Sequence, residues 1–239
     1  MTRFTVFVGN FGSGKSELAI NHALRHAGAG EQTTLVDLDI VNPYFRSAER
    51  KDELEAAGVR VIMPPYALHK IEIVSLSAEV YAIFSQTEGQ VVIDAGGDPV
   101  GATALGQYKL NFDALPPGAL RTLMVVNPFR PLAATMDKAK LLLENIQLTS
   151  RQQISGLVNN ANLAHETGPE DLAEGYHAVK ALSEATGIPV TATSGSPEVL
   201  RGFAALAAQQ GLDSRYIGEH WPLRLTMHRT WEQYTKDGL

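Results

Sequence analysis

Residues 9–16 read Gly9-Asn10-Phe11-Gly12-Ser13-Gly14-Lys15-Ser16 and fill every fixed position of the pattern G-x-x-x-x-G-K-[ST]. A polyphosphate needs dense positive potential and no bulky wall. Gly9, Gly12 and Gly14 let the backbone turn tightly, so that successive N–H groups point inward at phosphate oxygens. Lys15 can reach the terminal phosphates, and the Ser16 hydroxyl is placed to ligate Mg²⁺. The helix that must follow adds its positive N-terminal end. The nucleotide contacts read from this stretch are therefore Gly9, Asn10, Phe11, Gly12, Ser13, Gly14, Lys15, Ser16 and the adjoining Glu17.

The flanks fit a strand–loop–helix unit. Arg3–Val8 is a β-branched and aromatic run, and after Lys15 the apolar residues Leu18, Ala19, Ala23, Leu24 and Ala27 recur at helical spacing. Thr33–Leu38 reads as a second strand and leads into Asp37 and Asp39, at a strand end where open parallel sheets bind ligands. Two residues apart in a strand, these carboxylates would share a face. One could complete a metal shell and the other orient a water; the alternative is a solvated strand end turning into Pro43. Gln90–Ile93 is an apolar strand ending at Asp94-Ala95-Gly96-Gly97. Asp94 is a metal-side acid, and the D-x-x-G spacing places Gly97 where its N–H could touch a terminal phosphate and release it after hydrolysis. The two glycines could also serve only as turn residues.

Further strands are expected at Val59–Met63, Leu120–Val126, Ile154–Val158 and Ile188–Ala192. Helices are expected near 46–57, 76–88, 132–148, 169–186 and 198–209. This alternation predicts an α/β, three-layer architecture: a mostly parallel sheet of about seven strands with helices on both faces. No repeat or linker interrupts it, so residues 1–239 read as one domain with a C-terminal extension at about 213–239. In that extension Leu223, Leu225, Met227, Trp231 and Tyr234 suggest a short amphipathic helix packed on the domain.

At 239 residues, 44% hydrophobic and 19% charged, the chain is long enough for one large globular core. It has no cysteine, which excludes disulfides and thiolate chemistry. No stretch has the apolar length of a membrane helix, and no leader pattern opens the chain, so a cytoplasmic location is expected. The net charge of −6, without a dense Lys/Arg block, gives no strong nucleic-acid signal.

Three stretches together, Gly9–Ser16, Val36–Arg46 and Val91–Gly97, resemble the MinD/ParA and CobQ/CobB nucleotide-binding proteins, within the class that also holds the signal-recognition GTPases. The likeness runs over roughly residues 1–210 and implies a P-loop NTPase fold. It implies that Asp39 orients the attacking water and acts with Lys15 in catalysis. Ser16, Asp37, Asp39 and Asp94 would surround the metal, and Asn159, after a late strand, would read the base. One position departs: where MinD and ParA proteins carry a signature lysine that crosses a dimer interface, this chain has Asn10. That argues against nucleotide-sandwich dimerisation of that kind and against full hydrolytic activity; a protein partner or a homodimer is still expected. No Asn-Lys-x-Asp guanine signature is present, which favours ATP over GTP.

Three functions compete on these residues. The first is an Mg-dependent ATPase that switches a protein partner. The second is an ATP-dependent kinase or ligase of the CobQ/dethiobiotin-synthetase type, with Tyr44, Arg46, Tyr66, His69 and Lys70 as acceptor contacts. The third is a nucleotide-binding module without turnover. His22 and His26, four apart on the first helix, read as ordinary surface or interface histidines, because no third metal ligand accompanies them.

Overall fold

In the computed structural model the described residues are 1–39, 51–63, 78–97 and 99–226. The strands are β1 (Arg3–Val8), β2 (Thr33–Asp37), β3 (Val59–Ile62), β4 (Gln90–Asp94), β5 (Leu120–Val126), β6 (Gly156–Asn159), β7 (Val190–Gly195) and β8 (Glu219–Pro222). They form one sheet in the order β3-β2-β4-β1-β5-β6-β7-β8, with every neighbouring pair parallel. The helices are α1 (Lys15–Gly28), α2 (Lys51–Ala56), α3 (Ala78–Ala82), α4 (Pro99–Gly106), α5 (Lys109–Asp113), α6 (Met136–Ser150), α7 (Pro169–Thr186) and α8 (Pro197–Gln210).

β1 shows why a sheet forms here. Its side chains alternate between two cores: Phe4, Val6 and Val8 face Tyr108, Phe112, Leu143 and Ile146, while Phe7 faces Leu18, Ala19 and Ala23 of α1. Both faces are apolar, as parallel strands covered by helices on each side require. Thr135 caps α6 by accepting from the Lys138 amide, so that helix begins after the 131–134 turn and not at 132. Residues 99–113, given no assignment from sequence, form two short helices that bring Leu105, Tyr108 and Phe112 into the core. Among the described residues no helix is long and apolar enough to cross a membrane.

The sheet has eight strands where about seven are expected from sequence; the additional one, β8, lies in the stretch read as a C-terminal extension. Trp221 of β8 is buried against Phe7 and His22. Beyond β8 the chain is not helical through Thr226. It crosses α1 instead: Asn21 Oδ1 accepts from the Arg224 amide at 2.8 Å, and Asn21 Nδ2 donates to the Arg224 carbonyl at 3.0 Å. Met227, Trp231 and Tyr234 of the expected amphipathic helix lie outside the described residues, as do Tyr44, Arg46, Tyr66, His69 and Lys70.

His22 is not at the surface, as its spacing with His26 suggests, but is buried between Phe7 and Trp221, with its Nε2 3.3 Å from His26 Nε2. Arg25 reaches His22 Nδ1, and His26 Nδ1 pairs with Glu31 at 2.9 Å. One tautomer set satisfies the chain: Arg25 donates to His22, His22 donates to His26, and His26 donates to Glu31. Among the described residues no three His, Asp or Glu side chains gather as a metal site. Burial, then the charges of His26, Arg25 and Arg121, push the His22 imidazole down to about 3. The unfolded chain therefore takes up a proton near pH 6.5 that the fold refuses until about pH 3, and stability falls as pH drops through that window. The slope approaches about 1.4 kcal/mol per pH unit at its steepest. Asp94, raised to about 6 chiefly by burial, acts in the opposite sense between its unfolded and folded values. Because Asp94 is common to both proteins, chemical denaturation from pH 7 to 4 should thus show the wild type losing stability relative to His22→Phe as the pH falls. Parallel curves would refute the assignment.

Candidate phosphate and metal site

Loop 9–14 leaves the C-terminal end of β1, the central strand, and enters α1 through Gly14 at φ 92°. Gly9 and Gly12 also have positive φ, 145° and 73°, which side-chain-bearing residues rarely adopt. Neighbours fix the loop from outside. Asn160 Nδ2 donates to the Ser13 carbonyl at 2.7 Å, so a Cβ on Gly14 would collide with that amide. Arg130 Nε donates to the Gly12 carbonyl at 3.0 Å. Gly97 lies directly against Gly9, where a Cβ would overlap the Gly9 carbonyl.

Lys15 is buried, and its Nζ rests 3.4 Å from the Asn10 carbonyl, a long contact easily exchanged for a stronger acceptor. Asp94, also buried, accepts a hydrogen bond from Ser16. Burial pushes the Asp94 carboxyl up to about 6; Lys15 and Ser16 oppose that shift, and Asp39 adds to it. Asp37 is buried opposite Asp94 in the β2–β4 register. Asp39 is not in the strand with Asp37, as its spacing suggested: β2 ends at Asp37, and the Asp39 amide donates to Asp37 Oδ1 at 3.0 Å in a local turn. The Asp39 carboxylate instead faces Gly96, with Oδ1 3.2 Å from where a Cβ there would stand.

The donor set suits Mg²⁺. It offers a hydroxyl and carboxylate oxygens only, and Asp94 Oδ1 is a buried acceptor with no hydrogen-bond partner among the described residues. The buried Ser13 Oγ is likewise unpaired and has a proton to donate to a phosphate oxygen.

Two residues of the predicted set are engaged elsewhere. Glu17 accepts from the Thr226 amide and from the Thr226 hydroxyl, the latter at 2.6 Å, and so anchors the segment after β8 to the first turn of α1. Asn159 is fully buried; its Nδ2 donates to the Leu172 carbonyl at 3.0 Å and its Oδ1 accepts from the Ala161 amide. Its neighbour Asn160 turns toward the loop, held by Ser194 Oγ at 2.8 Å. Asn160 and Arg130 are thus site residues that the motif reading did not include.

An all-parallel sheet with a glycine-rich loop and lysine at the end of its central strand, followed by a helix, defines the P-loop NTPase fold. Solved structures share this architecture. Chloroplast FtsY from Physcomitrella patens superposes with a TM-score of 0.55 at 16% identity, covering 81% of this chain and 58% of that one. The signal recognition particle receptor FtsY from Elizabethkingia anophelis in complex with GDP gives 0.52 at 16%, covering 81% and 57%. FtsY from Mycoplasma mycoides gives 0.52 at 15%, covering 81% and 61%. The chain spans about three fifths of the length of these FtsY chains. No protein-family model and no curated protein matches its sequence.

Proposed function

We propose that the chain binds a purine nucleoside triphosphate with Mg²⁺, hydrolyses it, and uses the exchange between bound states to change its affinity for a protein partner in the cytoplasm. The observation that carries this reading is the buried Asp94 carboxylate hydrogen-bonded to Ser16 and paired in strand register with the buried Asp37, with the Lys15 ammonium close by. Such a cluster is costly to bury and gains its counter-charges when a metal–triphosphate arrives.

Each residue then has a part. The amides of Gly12–Ser16 and the Lys15 ammonium bind the β- and γ-phosphates. Ser16 and Asp94 would hold Mg²⁺, with Asp37 beside them, and the ion would supply positive charge against the phosphates. Asp39 accepts a hydrogen bond from the attacking water and aims it at the γ-phosphorus. The bond from that phosphorus to the β–γ bridging oxygen breaks, and the water's proton leaves with the inorganic phosphate. Gly97, packed on Gly9, and Gly96, beside Asp39, move with the γ-phosphate and pass its loss on to α4 through the Gly96–Gly101 contact. Asn10 at the signature-lysine position favours a different partner over a second copy bridged through nucleotide. The missing Asn-Lys-x-Asp signature favours ATP, whereas the FtsY likeness keeps GTP in the comparison.

The test follows phosphate release from Mg–ATP and Mg–GTP by purified protein, without any acceptor. Slow release that is lost in Asp39→Asn, with binding retained, supports the switch. Release only when a small-molecule acceptor is added, or tight binding with no release at all, contradicts it.

A further inference from the structure

From the placement of Arg130 we infer that this residue is the nucleoside-side contact of the site, its guanidinium serving as the face on which the nucleobase stacks. The inference rests on the nucleotide reading above. Asp37 and Asp94 end β2 and β4, on one side of β1. The metal end of a bound triphosphate therefore points to that side. The nucleoside is the other end of the same ligand, so it extends over the opposite side, where β5, β6 and β7 end.

Arg130 stands there, in the turn after β5. A phosphate-binding loop aims its N–H groups inward and its carbonyls outward. Apart from Lys15, whose long contact to the Asn10 carbonyl is given up to the ligand, a donor bonded to a loop carbonyl consequently lies on the outer wall, away from the phosphates. Arg130 Nε on the Gly12 carbonyl and Asn160 Nδ2 on the Ser13 carbonyl are both such donors. Their circumstances differ. Asn160 is buried and held by Ser194, which makes it a clamp. Arg130 is half-buried and rests on exposed Gly12, with its Nε 3.3 Å from where a Cβ there would stand. Its backbone is fixed: the Arg130 amide donates to the Asn127 carbonyl at 3.1 Å and the Ala133 amide to the Arg130 carbonyl at 2.9 Å. Asn127 is fully buried and donates to the Asn162 carbonyl of the β6 loop. The guanidinium plane is thus held at the loop rim before any ligand binds. Asn159, the base contact implied by family resemblance, has both amide atoms engaged within the chain.

A guanidinium stacks on any nucleobase, so Arg130 contributes affinity for the nucleoside without selecting adenine or guanine. The probe pair that isolates this role is Mg–ATP and Mg–tripolyphosphate, titrated calorimetrically into wild type, Arg130→Ala and Arg130→Lys. Arg130→Ala should weaken ATP about tenfold and leave tripolyphosphate within about twofold of wild type. Arg130→Lys should lose most of the same factor, since it keeps the charge but not the plane. Equal loss for both ligands overturns the inference: the guanidinium then serves the phosphates or, if the unliganded melting temperature also falls, merely braces the loop. Unchanged ATP affinity overturns it too. Wild-type protein that binds tripolyphosphate no more weakly than ATP removes the nucleoside contact alone, whereas wild type that binds neither ligand removes the nucleotide reading on which it stands.

Discussion

Lys15→Ala is expected to lower the affinity for Mg–nucleotide by at least about 100-fold, which corresponds to about 3 kcal/mol. The side chain is buried and already desolvated, and its resting partner is a single backbone carbonyl at 3.4 Å. Exchanging that carbonyl for two charged phosphate oxygens strengthens the bond at little further desolvation cost. The effect on the unliganded fold should be smaller. Without the ammonium, Asp94 loses the charge that most opposes its upward shift, and the carboxyl can protonate in response. Calorimetric titration and a thermal melt of the same variant check both halves. Binding within about threefold of wild type would show that Lys15 does not face the ligand.

The second large effect is expected at Gly97→Ala. The added methyl would overlap the Gly9 carbonyl and crowd the Asn10 amide, both backbone atoms of the phosphate loop. Neither can rotate away, so the loop or the strand end must shift. Overpacking of this kind costs about 1–3 kcal/mol, or roughly 2–12 °C in melting temperature for a chain of this size. Any shift of Gly9 also displaces the amides behind it, so nucleotide affinity should fall together with stability. Gly28→Ala is the control. Gly28 is the last residue of α1, and a Cβ there meets nothing within 4 Å, so its melting temperature should hold or rise slightly. A Gly97→Ala protein with wild-type melting and affinity would mean that the two loops are not in contact.

Much of this was legible in the sequence because it is local. The eight residues of the phosphate loop, the strand before them and the helix after them are contiguous. The β1, β2 and β4 runs announce themselves by apolar and β-branched residues ending in a glycine or an acid. Contacts between distant segments were not legible. Arg130 lies 118 residues from Gly12, and Asn160 lies 147 from Ser13. Nothing in periodicity distinguishes Asn159 from Asn160: one turns into the α7 side and the other toward the loop, because adjacent residues leaving a strand point opposite ways. β8 was missed for a related reason. Glu219-His220-Trp221-Pro222 carries little strand propensity, and a place at the sheet edge tolerates its proline. A two-residue spacing puts Asp39 on a strand face with Asp37, whereas the strand stops at Asp37 and an Asx turn redirects the chain.

The proposal as a whole turns on whether the cradle of amides, Lys15 and the Ser16–Asp94 pair takes up a magnesium-bound triphosphate. The most direct measurement is isothermal titration of the full chain with ATP and with GTP, each in the presence and absence of Mg²⁺. The account predicts saturable one-to-one binding of at least one of them, strengthened by the metal. Heats indistinguishable from dilution for both nucleotides, from a protein shown to be folded by its melting transition, would contradict it.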